Sequence, residues 1–203
     1  HFRGFVAYWE VPAGEETAMN GAWVEAPADD FFNALLKRFP YLPVIAEDLG
    51  VITPDVRETL MRFEFPGMRV LLFAFGEDKP MHPYLPHTYP KNCVAYTGTH
   101  DTNTIRGWFD KEAGPEEKMR LFGYLGRQVP LEEIHWELIR LAMMSVADTV
   151  IIPLQDILGL SDEARMNLPA AREGNWQWRF LPQQLTDSLS ARLKEMTEIY
   201  GRA

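Results

Sequence analysis

Cys93-Val94-Ala95-Tyr96-Thr97-Gly98-Thr99-His100-Asp101 carries the pattern on which the fold is read. Its first four residues are small, β-branched or aromatic, and the chain then turns polar at once. A strand with one face in water alternates with period two, so an unbroken apolar run fits a strand buried on both faces of a parallel sheet. Three further runs share the pattern: Pro43-Val44-Ile45-Ala46 before Glu47-Asp48, Met68-Arg69-Val70-Leu71-Leu72-Phe73, and Thr149-Val150-Ile151-Ile152-Pro153-Leu154 before Gln155-Asp156.

Helical patterns separate these runs. Asp29-Asp30 precede Phe31, Phe32, Leu35 and Leu36, with a stop near Pro40. Thr53-Pro54-Asp55 combines an N-cap with proline at the first helical position, and Val56, Leu60 and Phe63 follow until Pro66-Gly67. The strongest helix is expected from Leu131 to Asp148, with Ile134, Leu138, Leu141, Ala142 and Ser145 on one stripe, and a last one from Leu185 to Ile199. Strands alternating with helices define an α/β protein of βαβ units, whose right-handed crossovers put every strand C-terminus on one face. An open doubly wound sheet and a barrel both satisfy that rule. No Gly-x-Gly-x-x-Gly turn and no Walker motif follow a strand, which favours a (β/α)8 barrel with its site at the strand ends. Four strands do not close such a barrel, and His1-Phe2-Arg3-Gly4-Phe5 reads as a strand end and loop. The expectation is that residues 1–203 form the C-terminal half of a barrel whose N-terminal half is absent from this chain.

Composition narrows the function classes. The chain has 203 residues, 46% hydrophobic and 24% charged, with a net charge of −9. A chain with no basic stripe to neutralise phosphates is not built for nucleic acid. No apolar run reaches the ~18 residues of a membrane span. One cysteine, Cys93, allows no intrachain disulfide and fits a cytoplasmic location, where it reads as a small core residue. No His-Glu-x-x-His helix, calcium loop or cofactor motif appears, so neither metal nor cofactor is expected.

Glu47 and Asp101 each follow an apolar run within a few residues and would sit on the catalytic face of a barrel. Two carboxylates in one cleft are the usual apparatus of glycosidic bond cleavage, one acting as an acid and the other charged. A neutral His100, beside Asp101, could donate to a sugar hydroxyl; a His–Asp metal pair, for which no supporting motif appears, and a core histidine are the alternatives. Asp48 and Asp156 read as a helix cap or a solvated loop charge. A Ser-His-Asp hydrolase is disfavoured, since no Gly-x-Ser-x-Gly elbow exists.

Several strings together resemble the 4-α-glucanotransferases (amylomaltases, or disproportionating enzymes). They are His1-Phe2-Arg3-Gly4-Phe5, Tyr8-Trp9-Glu10-Val11-Pro12, Ile45-Ala46-Glu47-Asp48-Leu49-Gly50, Pro66-Gly67-Met68-Arg69-Val70-Leu71, Thr99-His100-Asp101-Thr102-Asn103-Thr104, Gln155-Asp156-Ile157-Leu158-Gly159, Arg165-Met166-Asn167 and Gly174-Asn175-Trp176-Gln177-Trp178-Arg179. The resemblance implies a (β/α)8 TIM barrel of the α-amylase clan, with the four runs as strands 5–8, that transfers α-1,4-glucan segments between maltooligosaccharides with retention. It implies that Glu47 is the acid/base and Asp101 the transition-state stabiliser, and that His1, Phe73, His100 and Asn167 contact substrate. It also implies a nucleophilic Asp immediately before the His-Phe-Arg-Gly string, hence upstream of His1, supplied by the N-terminal half. On this reading the isolated chain is inactive. Trp176 and Trp178 are expected to pack a closing edge of the barrel. An α-glucan hydrolase of the same clan and a non-catalytic glucan-binding barrel are the competing readings.

Overall fold

A computed structural model describes residues 1–202 of the chain. They form an α/β protein in two compact units, His1–Met68 and Arg69 to the C-terminus.

The first unit opens on a 3-10 turn, Phe2–Phe5, followed by an antiparallel hairpin of β1 (Ala7–Glu10) and β2 (Ala22–Glu25) in which Trp9 faces Trp23. The reading of residues 1–5 as a strand end and loop did not anticipate it. Two helices follow, α1 (Ala28–Arg38) and α2 (Pro54–Arg62). Asp29 and Asp30 in the first turn of α1, and Lys37 and Arg38 in its last, oppose the helix dipole favourably. Phe32 and Val56 bring the two helices onto Phe2, Val6, Ala46, Leu60 and Phe65 as one core. Phe2 and Phe32 stack with centroids 5.6 Å apart. Thr53 precedes α2 as expected but makes no cap bond to the backbone; it bonds Asp55, whose carboxyl is thereby held below its usual range.

The expected strand Pro43–Ala46 is not a strand. Only a single parallel bridge joins Ala46 to Gly67, with the Ala46 N–H donating to the Pro66 carbonyl at 2.9 Å. Pro40 and Pro43 lack the N–H that a ladder requires, so pairing is confined to the end of the run. Gly67 is required there: a Cβ would stand within 2.7 Å of the Asp48 carboxyl carbon.

A three-stranded sheet is ordered β3 (Gly67–Val70), β4 (Cys93–Tyr96), β5 (Thr149–Ile151), with β4 and β5, both in the second unit, parallel. Only β4 has the bounds read from the sequence. The run from Met68 ends its strand at Val70 and continues as a 3-10 turn, Leu71–Phe73. The run from Thr149 ends at Ile151, because Pro153 opens the short helix α6 (Leu154–Ile157). The α/β class therefore stands on small sheets.

Between β4 and β5 lie α3 (Ile105–Gly107), running into a π-turn at Trp108–Glu112, then α4 (Pro115–Leu125) and α5 (Ile134–Met143). The final helix, α7 (Asp187–Ile199), begins at the cap Thr186, whose hydroxyl accepts from the Leu189 N–H. In α4, which the sequence reading did not anticipate, Pro115 takes the first position and the Glu117 carboxylate accepts from the Gly114 N–H at 2.9 Å. Helix α5 is shorter than the expected span from Leu131 to Asp148, and Ser145 falls beyond it. Its stripe of Ile134, Leu138, Leu141 and Ala142 is buried. Each such leucine or isoleucine contributes about 1.5–3 kcal/mol by leaving water. Cys93 is buried in a small cluster with Tyr89, Ala95 and Ala147. No helix is long and apolar enough to cross a membrane among the described residues.

Candidate active site

The loop after β4 is folded by its own hydroxyls. Thr102 Oγ1 accepts from the Thr99 N–H at 2.9 Å and donates to the Thr99 carbonyl at 3.1 Å, while Thr99 Oγ1 accepts from the Asp101 N–H at 3.2 Å. Thr104 caps α3 by accepting from the Gly107 N–H. Asp156, from α6, ties the two ends of this loop together. Its Oδ2 accepts from the Thr97 hydroxyl at 2.7 Å and its Oδ1 from the Ile105 N–H at 2.8 Å.

The loop presents the His100 and Asp101 side chains about half exposed. Asn167 Nδ2 donates to Asp101 Oδ1 at 2.5 Å, and His100 Nε2 stands 3.3 Å from Asp101 Oδ2. The Asn167 N–H donates to the His100 carbonyl at 3.0 Å, locking the two segments in register. Trp176 leans over His100, ring centroids 5.2 Å apart and planes at 36°. Both rings border a cavity of about 190 Å³ whose wall also includes Asn103, Gln155, Asp156, Arg165 and Met166. Asp101 and Asn167 stand beside this cavity and not in its wall. An aromatic face next to an imidazole, with a carboxylate and an amide adjoining, suits a pyranose ring: the apolar face stacks and the hydroxyls find polar partners.

Trp176 is 54% exposed on that wall. Trp178 is half-buried, its ring 6.5 Å from Phe180. Phe73 is exposed at the 3-10 turn after β3, edge-on to Tyr84 at 5.4 Å, and does not line the cavity.

In the first unit, Glu47 follows the Ala46 bridge with its side chain half exposed and its Oε1 3.6 Å from His1 Nδ1. The Glu47 carbonyl accepts from the Phe2 N–H at 2.8 Å, which fixes the His1 end of the chain beside it. Arg3 donates to the Val51 carbonyl at 2.6 Å and lies over the Trp23 ring, 3.9 Å from its centroid.

Neither Asp48 nor Asp156 is a solvated loop charge. Asp48 is 6% exposed and accepts from the Met68 N–H at 2.6 Å. Asp156 is 1% exposed, and burial pushes its carboxyl up to about pH 6 against the two hydrogen bonds that favour its charge. A carboxyl raised on folding contributes stability below its unfolded value of about 3.8, and that contribution is lost as pH rises through about 6. Asp156→Asn keeps the Ile105 contact, and Thr97 can reverse its hydroxyl. We expect its stability to match or exceed the wild type at pH 7 by on the order of 1–3 kcal/mol, the gap closing by pH 4. Thermal unfolding across that range checks the sign.

Sequence reasoning passed over Arg165, Glu112 and Asn103. Arg165 was quoted beside Asn167, but nothing local marks a side chain whose partners lie 53 and 64 residues away.

An α/β protein with an imidazole and an exposed indole on one cavity, and a carboxylate–amide pair beside it, has the groups that carbohydrate-active proteins use. A sequence profile of glycoside hydrolase family 77 (4-alpha-glucanotransferase) matches residues 1–185, and the chain belongs to that family. It is 54% identical over 204 residues to a 4-alpha-glucanotransferase of Synechocystis and 50% identical over 202 residues to one of Aquifex aeolicus. Both alignments take in 100% of this chain and 40% and 41% of the relatives, so it spans about two fifths of their length. The fold is similar to that of the amylomaltase from Streptococcus agalactiae in complex with acarbose, with TM-score 0.92 and 37% identity over 99% of this chain and 40% of that one.

Proposed function

We propose that the chain is the C-terminal part of a 4-α-glucanotransferase that moves α-1,4-glucan segments between maltooligosaccharides by a retaining double displacement. The observation that carries this is Asp101 held by Asn167 at 2.5 Å beside His100 and an exposed Trp176. That arrangement fixes a carboxylate where a ring can stack. Family membership and the greater length of the relatives support the remainder of the reading. On it, residues 1–203 are the second half of the catalytic (β/α)8 barrel of the α-amylase type, strands 5–8. Other residues of the same protein supply the first half and the nucleophilic Asp. A cytoplasmic setting belongs to the proposal for this chain, although a potato relative 47% identical to it is named chloroplastic/amyloplastic.

The residues divide the work by chemistry. Protonated Glu47 gives its proton to the glucosidic oxygen as the nucleophile attacks the anomeric carbon, forming a glucosyl-enzyme and releasing the remainder of the donor. Glu47, now a base, takes the proton of the acceptor 4-hydroxyl as that oxygen displaces the enzyme carboxylate and restores the α-linkage. Charged Asp101 stabilises the oxocarbenium-like ring in both steps, with His100, Asn167, His1 and Phe73 holding substrate. No step calls for a metal or cofactor.

The test is the product distribution from maltotriose with the complete protein. Transfer is expected to give glucose together with maltooligosaccharides longer than maltotriose. Near-quantitative glucose and maltose would favour the hydrolase instead, and no turnover would favour a binding barrel.

A further inference from the structure

We infer that Arg165 is a positioning residue of this site, a single guanidinium that braces the backbones carrying the Asp101 carboxylate and the Asn167 amide. Its three nitrogens go to three different segments. Nη2 donates to the Asp101 carbonyl at 2.8 Å, Nε to the Asn167 carbonyl at 2.9 Å, and Nη1 to Glu112 Oε1 at 3.0 Å. Glu112 closes the π-turn Trp108–Glu112, and the same Oε1 accepts from Asn103 Nδ2 at 2.8 Å. Asn103 lies two residues beyond Asp101, so the loop is gripped by its own amide as well as by the guanidinium. The Arg165 side chain is only 19% exposed, which limits competition from water. The planar fork presents divergent donors at fixed angles; an ammonium is a single point that cannot meet three separated acceptors.

Without this clamp, the Asn167 N–H bond to the His100 carbonyl and the Asn167 amide bond to Asp101 Oδ1 would remain, but the Asp101 and Asn167 carbonyls would lose the donor that fixes their spacing. A displacement of about 1 Å can cost roughly 100-fold in rate when the group acts on the transition state. The inference rests on the reading of Asp101 as the stabiliser, and the test separates the two.

In the complete protein, Arg165→Ala is expected to lower kcat on maltotriose by about 10- to 100-fold with KM changed less than about threefold. Arg165→Lys is expected to fall nearly as far and serves if the alanine variant folds poorly. The decisive comparison is Asp101→Asn against Asp101→Asn/Arg165→Lys. If Arg165 acts through Asp101, the double variant is no slower than Asp101→Asn alone. Multiplicative losses, or a wild-type kcat in folded Arg165→Lys, would overturn the positioning role while leaving Asp101 in place. Wild-type kcat in Asp101→Asn would overturn the reading of Asp101, and the clamp's purpose with it.

Discussion

Replacing Glu47 with glutamine in the complete protein should lower the rate of maltotriose disproportionation by roughly 100- to 10,000-fold, the usual worth of a positioned general acid. The leaving group is a sugar 4-hydroxyl, a poor one that needs its proton. The glutamine amide would keep the shape and remove the proton. The fold should not register the change: the Glu47 side chain is half exposed, and the bond that secures the segment, Phe2 N–H to the Glu47 carbonyl, belongs to the backbone. Unfolding should therefore move by less than about 0.5 kcal/mol. Steady-state rates with thermal melts check both halves, and an active Glu47→Gln enzyme would remove Glu47 from the mechanism.

Asp101→Asn should cost about 100- to 1,000-fold in kcat with a small change in KM, because its charge counts most where positive charge develops on the ring. The oxygen of the substituted amide can still accept from Asn167 Nδ2, and the backbone grip on residue 101 is untouched. The loss would therefore report the missing charge and not a collapsed loop. A large rise in KM with kcat preserved would instead describe a residue that binds ground state and transition state alike.

Local chemistry made some of this legible in the sequence. The Cys93–Tyr96 run has four apolar residues, no proline and a polar exit, and β4 has those bounds. The Pro43–Ala46 run carries the same hydropathy but also a proline, and apolar character alone cannot supply the N–H groups of a ladder. Pro115 and Glu117 marked the start of α4, but only Leu121 of that helix is buried, so there was little apolar stripe to read. The hairpin of Trp9 and Trp23 has a long connection with no tight-turn dipeptide at its centre.

The site was legible in a different way. Asp101 and His100 stood out because they follow an apolar run, but Asn167 entered only through resemblance, lying 66 residues away from its partner. Asp156 looked like a loop charge because burial is a property of the packed chain: Thr97 and Ile105 close over it only after α6 returns to the end of β4. Arg165 was hidden for the same reason.

The different jobs given to Glu47 and Asp101 are tested most directly by changing the leaving group. An α-maltosyl fluoride donor releases fluoride, which departs without a proton, so the first step no longer needs an acid. The complete Glu47→Gln protein should release one equivalent of fluoride in a burst at a rate approaching the wild type and then turn over slowly, because the glycosyl-enzyme still needs Glu47 as base. Asp101→Asn should form the glycosyl-enzyme slowly from fluoride as from maltotriose. A first turnover of Glu47→Gln as slow with fluoride as with maltotriose, or a wild-type burst from Asp101→Asn, would contradict the assignment.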